Sequence, residues 1–177
     1  ADGGAGLTPF EAVIIDREIA ARHAPNITKG TTSLVLSAVI EHASQRVKEE
    51  VLPGVASGDI RFCLGYTEPD AGSDLAAART RAVRDGDEWI IDGQKMFTTG
   101  AQNCQYAFLV ARTNPDLPKH KGITMFLCPL ADTEIQALHT IGGERTNMVF
   151  FDGLRISDDY RLGDIDRGWS VLMGPLN

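Results

Sequence analysis

Apolar positions follow two different spacings along the chain, and the change falls near Gly58. Over residues 9–57 the spacing is helical. In FEAVIIDREIAARHA, Phe10, Val13, Ile14, Arg17 and Ala21 fall near i, i+3, i+4, i+7 and i+11, a mainly apolar stripe with one arginine in it. Pro9 suits a first helical turn, where its missing N–H costs nothing, and Pro25 is expected to end the stretch. SLVLSAVIEHA is apolar nearly all round, which predicts a helix buried on several sides. Ser44 can cap QRVKEEVL, and Pro53-Gly54 is expected to stop it.

Beyond Gly58 the pattern is that of strands. IRFCLGY is a short apolar run. RTRAVRDGDEWIIDGQKMF carries Arg79, Arg81 and Val83, then Asp85-Gly86, then Trp89-Ile90-Ile91: two strands and a hairpin turn. YAFLVART and GITMFLCPL flank NPDLPKHKG, a polar loop with two prolines, and NMVFFDGLRI is a further strand. Many short strands separated by turns predict an antiparallel sandwich or barrel. WSVLMGPLN starts a helix that the chain does not continue. The fold class is therefore α+β, a helical segment followed by an antiparallel β-sandwich or barrel.

Composition adds exclusions. The chain has 177 residues, 43% hydrophobic and 23% charged, ordinary for a globular protein. A net charge of −7 and a pI near 5.0 argue against a nucleic-acid surface. They leave an anionic ligand open, because backbone N–H groups can hold phosphate against the net field. The longest apolar run, residues 34–40, is too short to span a bilayer. Cys63, Cys104 and Cys128 are odd in number and lack CxxC spacing, which predicts buried thiols in a reducing compartment. A start in ADGGAG without Met and a stop at GPLN predict a piece of a longer protein.

The densest chemistry is TEPDAGSD, residues 67–74, with Glu68, Asp70 and Asp74 among hydroxyls and one glycine. Paired carboxylates can split their pKa values for acid/base work, but no nearby His accompanies them. DAGSD begins like a calcium loop without the closing Glu, and His23, His42, His120 and His139 are scattered, so no metal site is assigned. Ser73 is not in GxSxG. GGAGLT, residues 3–8, lacks the third glycine and a preceding strand, and reads as a turn. What remains is a choice between a plain turn and an anion-binding nest. Pro69, Asp70, Gly72 and Ser73 serve both equally well.

LGYTEPDAGSD, then GDEWIIDGQKMFTTGAQ, then FLVART and GIT, resemble in order and spacing the middle domain of the acyl-CoA dehydrogenase family. EEVLPGVASGD resembles the end of that family's N-terminal helical domain, and FDGLRISDDYRLGDIDRGWSVLMG its passage into the C-terminal helical bundle. The resemblance divides the chain into 1–58, the end of the N-terminal domain; 59–165, the flavin-binding middle domain; and 166–177, the start of a C-terminal domain whose bundle is absent from this chain. It implies FAD as cofactor and α,β-dehydrogenation of an acyl-CoA thioester. In that reaction a Glu removes the α-proton and the β-hydrogen leaves as hydride.

Carried over by position, Leu64, Tyr66, Thr67, Gly72 and Ser73 line the flavin and its pyrophosphate, and Ser73 also touches substrate. Phe97, Thr98 and Thr99 lie against the isoalloxazine, with Thr99 the hydrogen-bond donor. The family's catalytic Glu belongs to the C-terminal domain, so no catalytic residue is assigned in this chain. Phe97 stands where Trp is common, and Asp70 where Gly is common. Lys119–Lys121 and Arg145 read as solvated charges, or as contacts to CoA phosphates. The implied partners are the acyl-CoA, electron-transfer flavoprotein or an equivalent acceptor, and further subunits in a homo- or hetero-tetramer. The implied compartment is the bacterial cytoplasm, or the mitochondrial matrix for a eukaryotic member. MFTTGAQNCQYAFLVARTNPDLPKHKGIT is similar to bacterial members acting on bulky acyl-CoAs, sterol side chains included. Two alternatives accompany this reading: a flavin-holding, non-catalytic subunit of a heteromeric dehydrogenase, and an acyl-CoA oxidase or flavin monooxygenase on the same fold.

Overall fold

The computed structural model describes residues 6–24 and 28–174. Helix α1, Pro9–Ala21, starts as its sequence dictates. Thr8 and Glu11 form a reciprocal capping box, with Glu11 Oε2 accepting from Thr8 N at 2.8 Å and Thr8 Oγ1 accepting from Glu11 N at 3.3 Å. Its apolar stripe, however, meets no core among the described residues: Phe10, Val13 and Ile14 are exposed. Pro25 and the first residues of GGAGLT lie outside the described residues; α1 itself ends at Ala21.

Helix α2, Lys29–His42, buries Val35, Ala38 and Val39 along one face and leaves Ile40 exposed, so it is covered on fewer sides than its composition predicts. Helix α3, Gln45–Ser57, is capped by Ser44 Oγ as expected, accepting from Val47 N at 3.2 Å. Pro53 does not stop it. The helix runs on to Ser57 and ends at Gly58, whose φ of 87° is the left-handed C-terminal cap. Leu52 and Val55 pack on the core on either side of Pro53, and that burial outweighs the forfeited backbone hydrogen bond.

Among the described residues eight strands follow: β1 Phe62–Gly65, β2 Arg81–Asp85, β3 Glu88–Lys95, β4 Tyr106–Arg112, β5 Ile123–Pro129, β6 Glu134–His139, β7 Arg145–Ser157 and β8 Arg161–Leu162, then helix α4, Gly168–Met173. They form one connected sheet in the order β6-β7-β3-β2-β4-β5-β8, with β1 paired to β4. Pairing is antiparallel except that β1 and β2 both run parallel to β4. β1 pairs with residues 106–109 of β4 and β2 meets it at Arg112. Both therefore lie along one edge of β4, and the chain between them, residues 66–80, must leave the sheet and come back. That detour contains TEPDAGSD.

The sheet has two apolar faces because β4 and β5 are buried on both. Phe108, Val110, Met125 and Leu127 face the helices and pack with Val35, Val39, Val47, Val51 and Leu172. The alternate positions, Ala107, Leu109, Phe126 and Cys128, face the opposite wall, where Trp89, Ile91, Val149 and Phe151 meet them. Trp89 and Phe126 touch edge-on at 5.3 Å between centroids. The sheet is thus folded on itself, as the run of short strands predicts. Cys63, Cys104 and Cys128, remote in sequence, all lie in this interior as free thiols.

Asp158 closes one end of the fold. It accepts from Arg161 Nε at 2.8 Å and Nη2 at 3.0 Å, and from Trp89 Nε1 at 2.7 Å. Arg161 above all, against the opposing effect of burial, holds its pKa down at about 2. A carboxylate with a lowered folded-state pKa contributes stability above its ordinary value, and that contribution is lost as pH falls through the folded one. Urea unfolding is expected to show a loss on the order of 2 kcal/mol as pH drops from about 4 to about 2. Asp158→Asn should start lower and respond less over that window; an unchanged pH slope would refute the assignment.

Candidate functional site

The loop after β1 is pinned from three directions. Glu68 and Ala71 exchange backbone hydrogen bonds, 2.9 Å from Glu68 N and 3.1 Å from Ala71 N, closing a turn over Pro69-Asp70. Thr67 O accepts from Met96 N at 2.7 Å, which ties the loop to the residue just beyond β3. The side chain of Glu68 is buried: Oε1 accepts from Lys95 Nζ at 2.7 Å and from Thr80 N at 2.9 Å, and Oε2 accepts from Arg79 N at 2.7 Å.

Lys95 is fully buried and donates in addition to Tyr66 O at 3.3 Å. Burial drives the Lys95 ammonium down to about 8, with Glu68 opposing the fall. Burial by itself would raise Glu68, but Lys95 and the two amides hold it below the ordinary carboxylate range. Glu68 is therefore an anchor with its acceptors filled. The other two carboxylates form exposed pairs, Asp70 with Arg79 at 3.0 Å and Asp74 with Lys119 at 2.9 Å. None of the three is free for acid/base work. Among the described residues no cluster of three or more His, Cys, Asp or Glu could hold a metal.

Gly72 and Ser73 occupy the exposed arm of the loop. A Cβ on Gly72 would meet nothing within 4 Å, so the space its bareness leaves is open. Ser73 makes no hydrogen bond to another described residue. Leu64 and Tyr66 share a face of the chain at β1 and pack, half-buried, against the helix-side core, with Tyr66 and Phe108 at 5.9 Å. The Tyr66 hydroxyl is buried with no hydrogen-bond partner among the described residues.

The second half of the site begins where β3 ends. Lys95 is paired with Val149, so in uninterrupted register Phe97 would face Asn147. Instead the Thr98 N–H reaches Asn147 O at 2.9 Å, a slip of one residue, which is the signature of a β-bulge. Phe97 takes up the extra length with φ 57°, a left-handed conformation rare for a bulky side chain, and its ring is 56% exposed. Thr98 is buried and its Oγ1 has no hydrogen-bond partner among the described residues. Thr99 is exposed, with its hydroxyl 3.5 Å from that of Thr146, a weak contact that leaves it able to donate elsewhere. Phe97, Thr99, Thr140, Glu144, Arg145 and Thr146 line a concavity of ≈ 460 Å³.

Thr67, Phe97, Thr98 and Thr99 are thus brought to one end of the folded sheet through the Thr67–Met96 bond. Leu64 and Tyr66 lie behind the loop, and Gly72 and Ser73 on its open arm. The sequence reading did not name Thr140, Thr146 or Asn147. The polar run ERTN at the head of an apolar strand was the available signal. Nor did it name Lys95 as Glu68's partner, although Lys95 shares the inward parity of Trp89 and Ile91.

Because the ring of Phe97 is exposed and its backbone unfavourable, Phe97→Gly should leave folding stability unchanged or raise it by up to about 1 kcal/mol. A buried aromatic would lose about 3–5 kcal/mol on truncation, so thermal and urea unfolding separate a core Phe from one held out for a ligand.

The profile of the acyl-CoA dehydrogenase N-terminal domain matches residues 1–59, and that of the acyl-CoA dehydrogenase middle domain matches residues 63–154. Acyl-CoA dehydrogenase FadE29 of Mycobacterium tuberculosis is 38% identical over 99% of this chain and 46% of its own length. Among solved structures, a steroid ACAD described as the Tcur3481-Tcur3483 G363A variant superposes with a TM-score of 0.90 at 37% identity, covering 99% of this chain and 46% of that one. The ChsE4-ChsE5 complex from Mycobacterium tuberculosis gives 0.86 at 35% identity, with coverages of 99% and 46%. The chain spans about half the length of the curated relatives it matches. The chain belongs to the acyl-CoA dehydrogenase family.

Proposed function

We propose that this chain is the flavin-gripping part of an enzyme that introduces an α,β double bond into an acyl-CoA thioester, with FAD as cofactor. The observation that carries the reading is the convergence, at one end of the sheet, of the TEPDAGSD loop with an exposed, strained aromatic and a threonine hydroxyl held only by a 3.5 Å contact to Thr146, joined by the 2.7 Å bond from Met96 N to Thr67 O. Three features fit a flat, polar-edged group bearing phosphates. Phe97 offers a ring face to solvent. The buried hydroxyls of Thr98 and Tyr66 have no hydrogen-bond partners among the described residues. The space beside Gly72 is open.

Leu64, Tyr66, Thr67, Gly72, Ser73, Phe97, Thr98 and Thr99 are the residues that would hold the cofactor, and Ser73 would also meet substrate. FAD, when bound, supplies a two-electron acceptor. Phe97 stacks and excludes water from one face. Thr99 donates a hydrogen bond, a dipole fixed in advance at the place where charge develops. Ser73 and the loop amides present donors to phosphate oxygens. The loop's carboxylates are paired and no acid of this chain is assigned the α-proton, so the reading puts that Glu outside these 177 residues.

The description of one structural neighbour, Tcur3481-Tcur3483, as a steroid ACAD favours a bulky acyl-CoA, and electron-transfer flavoprotein or an equivalent carrier is the acceptor. Two of the structural neighbours are described as pairs of differently named proteins, Tcur3481-Tcur3483 and ChsE4-ChsE5. This supports a second reading, a flavin-holding subunit whose partner carries the base. Both readings are tested on the full-length protein, assembled as purified, by adding a panel of acyl-CoAs without oxygen. Dehydrogenation bleaches the visible flavin band. Bleaching that requires an unlike partner selects the second reading, and a protein with no flavin under any assembly defeats both.

A further inference from the structure

Asn147 is fully buried, yet its side-chain polar groups are all engaged. Nδ2 donates to Thr98 O at 2.9 Å and to Gln102 Oε1 at 2.7 Å, while Oδ1 accepts from Arg145 Nε at 3.2 Å. Its backbone oxygen takes the Thr98 N–H at 2.9 Å. One residue thus holds both backbone polar groups of Thr98. On the other flank, Thr67 O holds Met96 N at 2.7 Å. Phe97 lies between the two clamps with φ 57°.

A bulky residue stays in the left-handed region only where its surroundings over-determine it, and Phe97 has little burial to offset the cost. The competing arrangement is a return to the register of β3 and β7, with Phe97 opposite residue 147. Because side chains alternate along a strand, a one-residue shift exchanges the faces of Thr98 and its neighbours. The bulge therefore decides which side chains reach the concavity.

We propose that Asn147 is a positioning residue of this site: its double grip on Thr98 locks the one-residue slip that presents the Phe97 ring and the Thr99 hydroxyl at the end of the sheet. Arg145 and Thr146, two positions away and adjacent on β7, line the same concavity, so Asn147 fixes both of its walls. The clamp stands on the geometry alone; that it serves FAD rests on the reading above.

Two measurements on the full-length protein separate these. The first needs no flavin: the unfolding equilibria of wild type, Asn147→Ala, Phe97→Gly and the double variant. Glycine adopts the left-handed region freely. Asn147→Ala is therefore expected to shift the equilibrium at least about fivefold more when Phe97 is present than when residue 97 is Gly. Equal shifts in both backgrounds overturn the clamp.

The second is titration of flavin-stripped protein with FAD, followed by quenching of flavin fluorescence and by visible circular dichroism. Asn147→Ala is expected to bind about tenfold more weakly, with a changed dichroic band. Wild-type affinity with an unchanged band overturns the positioning role, and a wild type that takes up no FAD overturns the flavin reading together with that role. If Asn147→Ala does not fold, Gln102→Ala, which removes one acceptor from Nδ2 at an exposed residue, carries both comparisons. Its expected effect is about threefold, and wild-type behaviour in both measurements overturns the proposal.

Discussion

Glu68→Ala is expected to lower folding stability by about 3–5 kcal/mol, because it breaks a buried ion pair from one side. The substitution strands the Lys95 ammonium in a site with no solvent exposure and also orphans the amides of Arg79 and Thr80. Tyr66 O at 3.3 Å is the only hydrogen-bond partner left to Lys95 Nζ among the described residues. Glu68→Gln keeps an acceptor for one of those groups and should cost less. Replacing both members, as Glu68→Leu with Lys95→Met, removes the stranded charge but not the orphaned amides. It should recover only part of the loss, since each buried unpaired amide still costs about 1–3 kcal/mol.

The lowered pKa of Glu68 gives the pH dependence its sign. Its contribution is complete above the ordinary carboxylate value and is lost as the solution becomes more acidic, the same direction as for Asp158. Urea unfolding of the three variants decides the matter; a loss below about 1 kcal/mol for Glu68→Ala would mean that the pair is not the anchor of the loop.

Thr99→Val should leave stability near that of the wild type, because the side chain is exposed and its contact with Thr146 is long. In the full-length enzyme it is expected to slow substrate-driven bleaching of the flavin by about a hundredfold, the usual cost of removing one preorganised donor. Single-turnover mixing without oxygen measures this, and substrate affinity should move much less than the rate. Bleaching at the wild-type rate would assign Thr99 to the rim. The two variants together separate the two roles expected in the site, stability at Glu68 of the loop and flavin reduction at Thr99 beyond β3.

Strand periodicity exposed most of the fold because β4 and β5 are short, continuous apolar runs, and the hairpin between β2 and β3 is marked by Asp85-Gly86. The reading missed β6, whose EIQALH is mostly exposed and so lacks an apolar signal, and β8, which is too short to show a period. It ended α3 too early because proline is a strong local signal, while the tertiary burial of Val55 is invisible in a one-dimensional pattern. The stripe on α1 was legible, but among the described residues it meets no core and stays exposed.

In the site, TEPDAGSD was conspicuous for its carboxylates. The fold spends all three on ion pairs, and the open positions are Gly72 and Ser73. The Lys95–Glu68 pair spans 27 positions and the Asn147 grip on Thr98 spans 49. Contacts that distant follow from strand order, which periodicity alone does not supply. The unfavourable φ of Phe97 likewise had no mark in the sequence, since Phe is among the residues least expected there.

The end of the sheet bearing Thr67 and Phe97 is expected to grip FAD, and binding itself measures this most directly. Full-length protein, stripped of flavin and reassembled, is titrated with FAD, and the same titration is repeated with Phe97→Ala and with Asp87→Ala, an exposed residue at the opposite end of β3, as a control. A grip on FAD predicts saturable uptake of one FAD per chain with quenched fluorescence, affinity about tenfold weaker or more for Phe97→Ala, and no change for Asp87→Ala. Uptake that Phe97→Ala leaves untouched, or no uptake by the wild type, would contradict it.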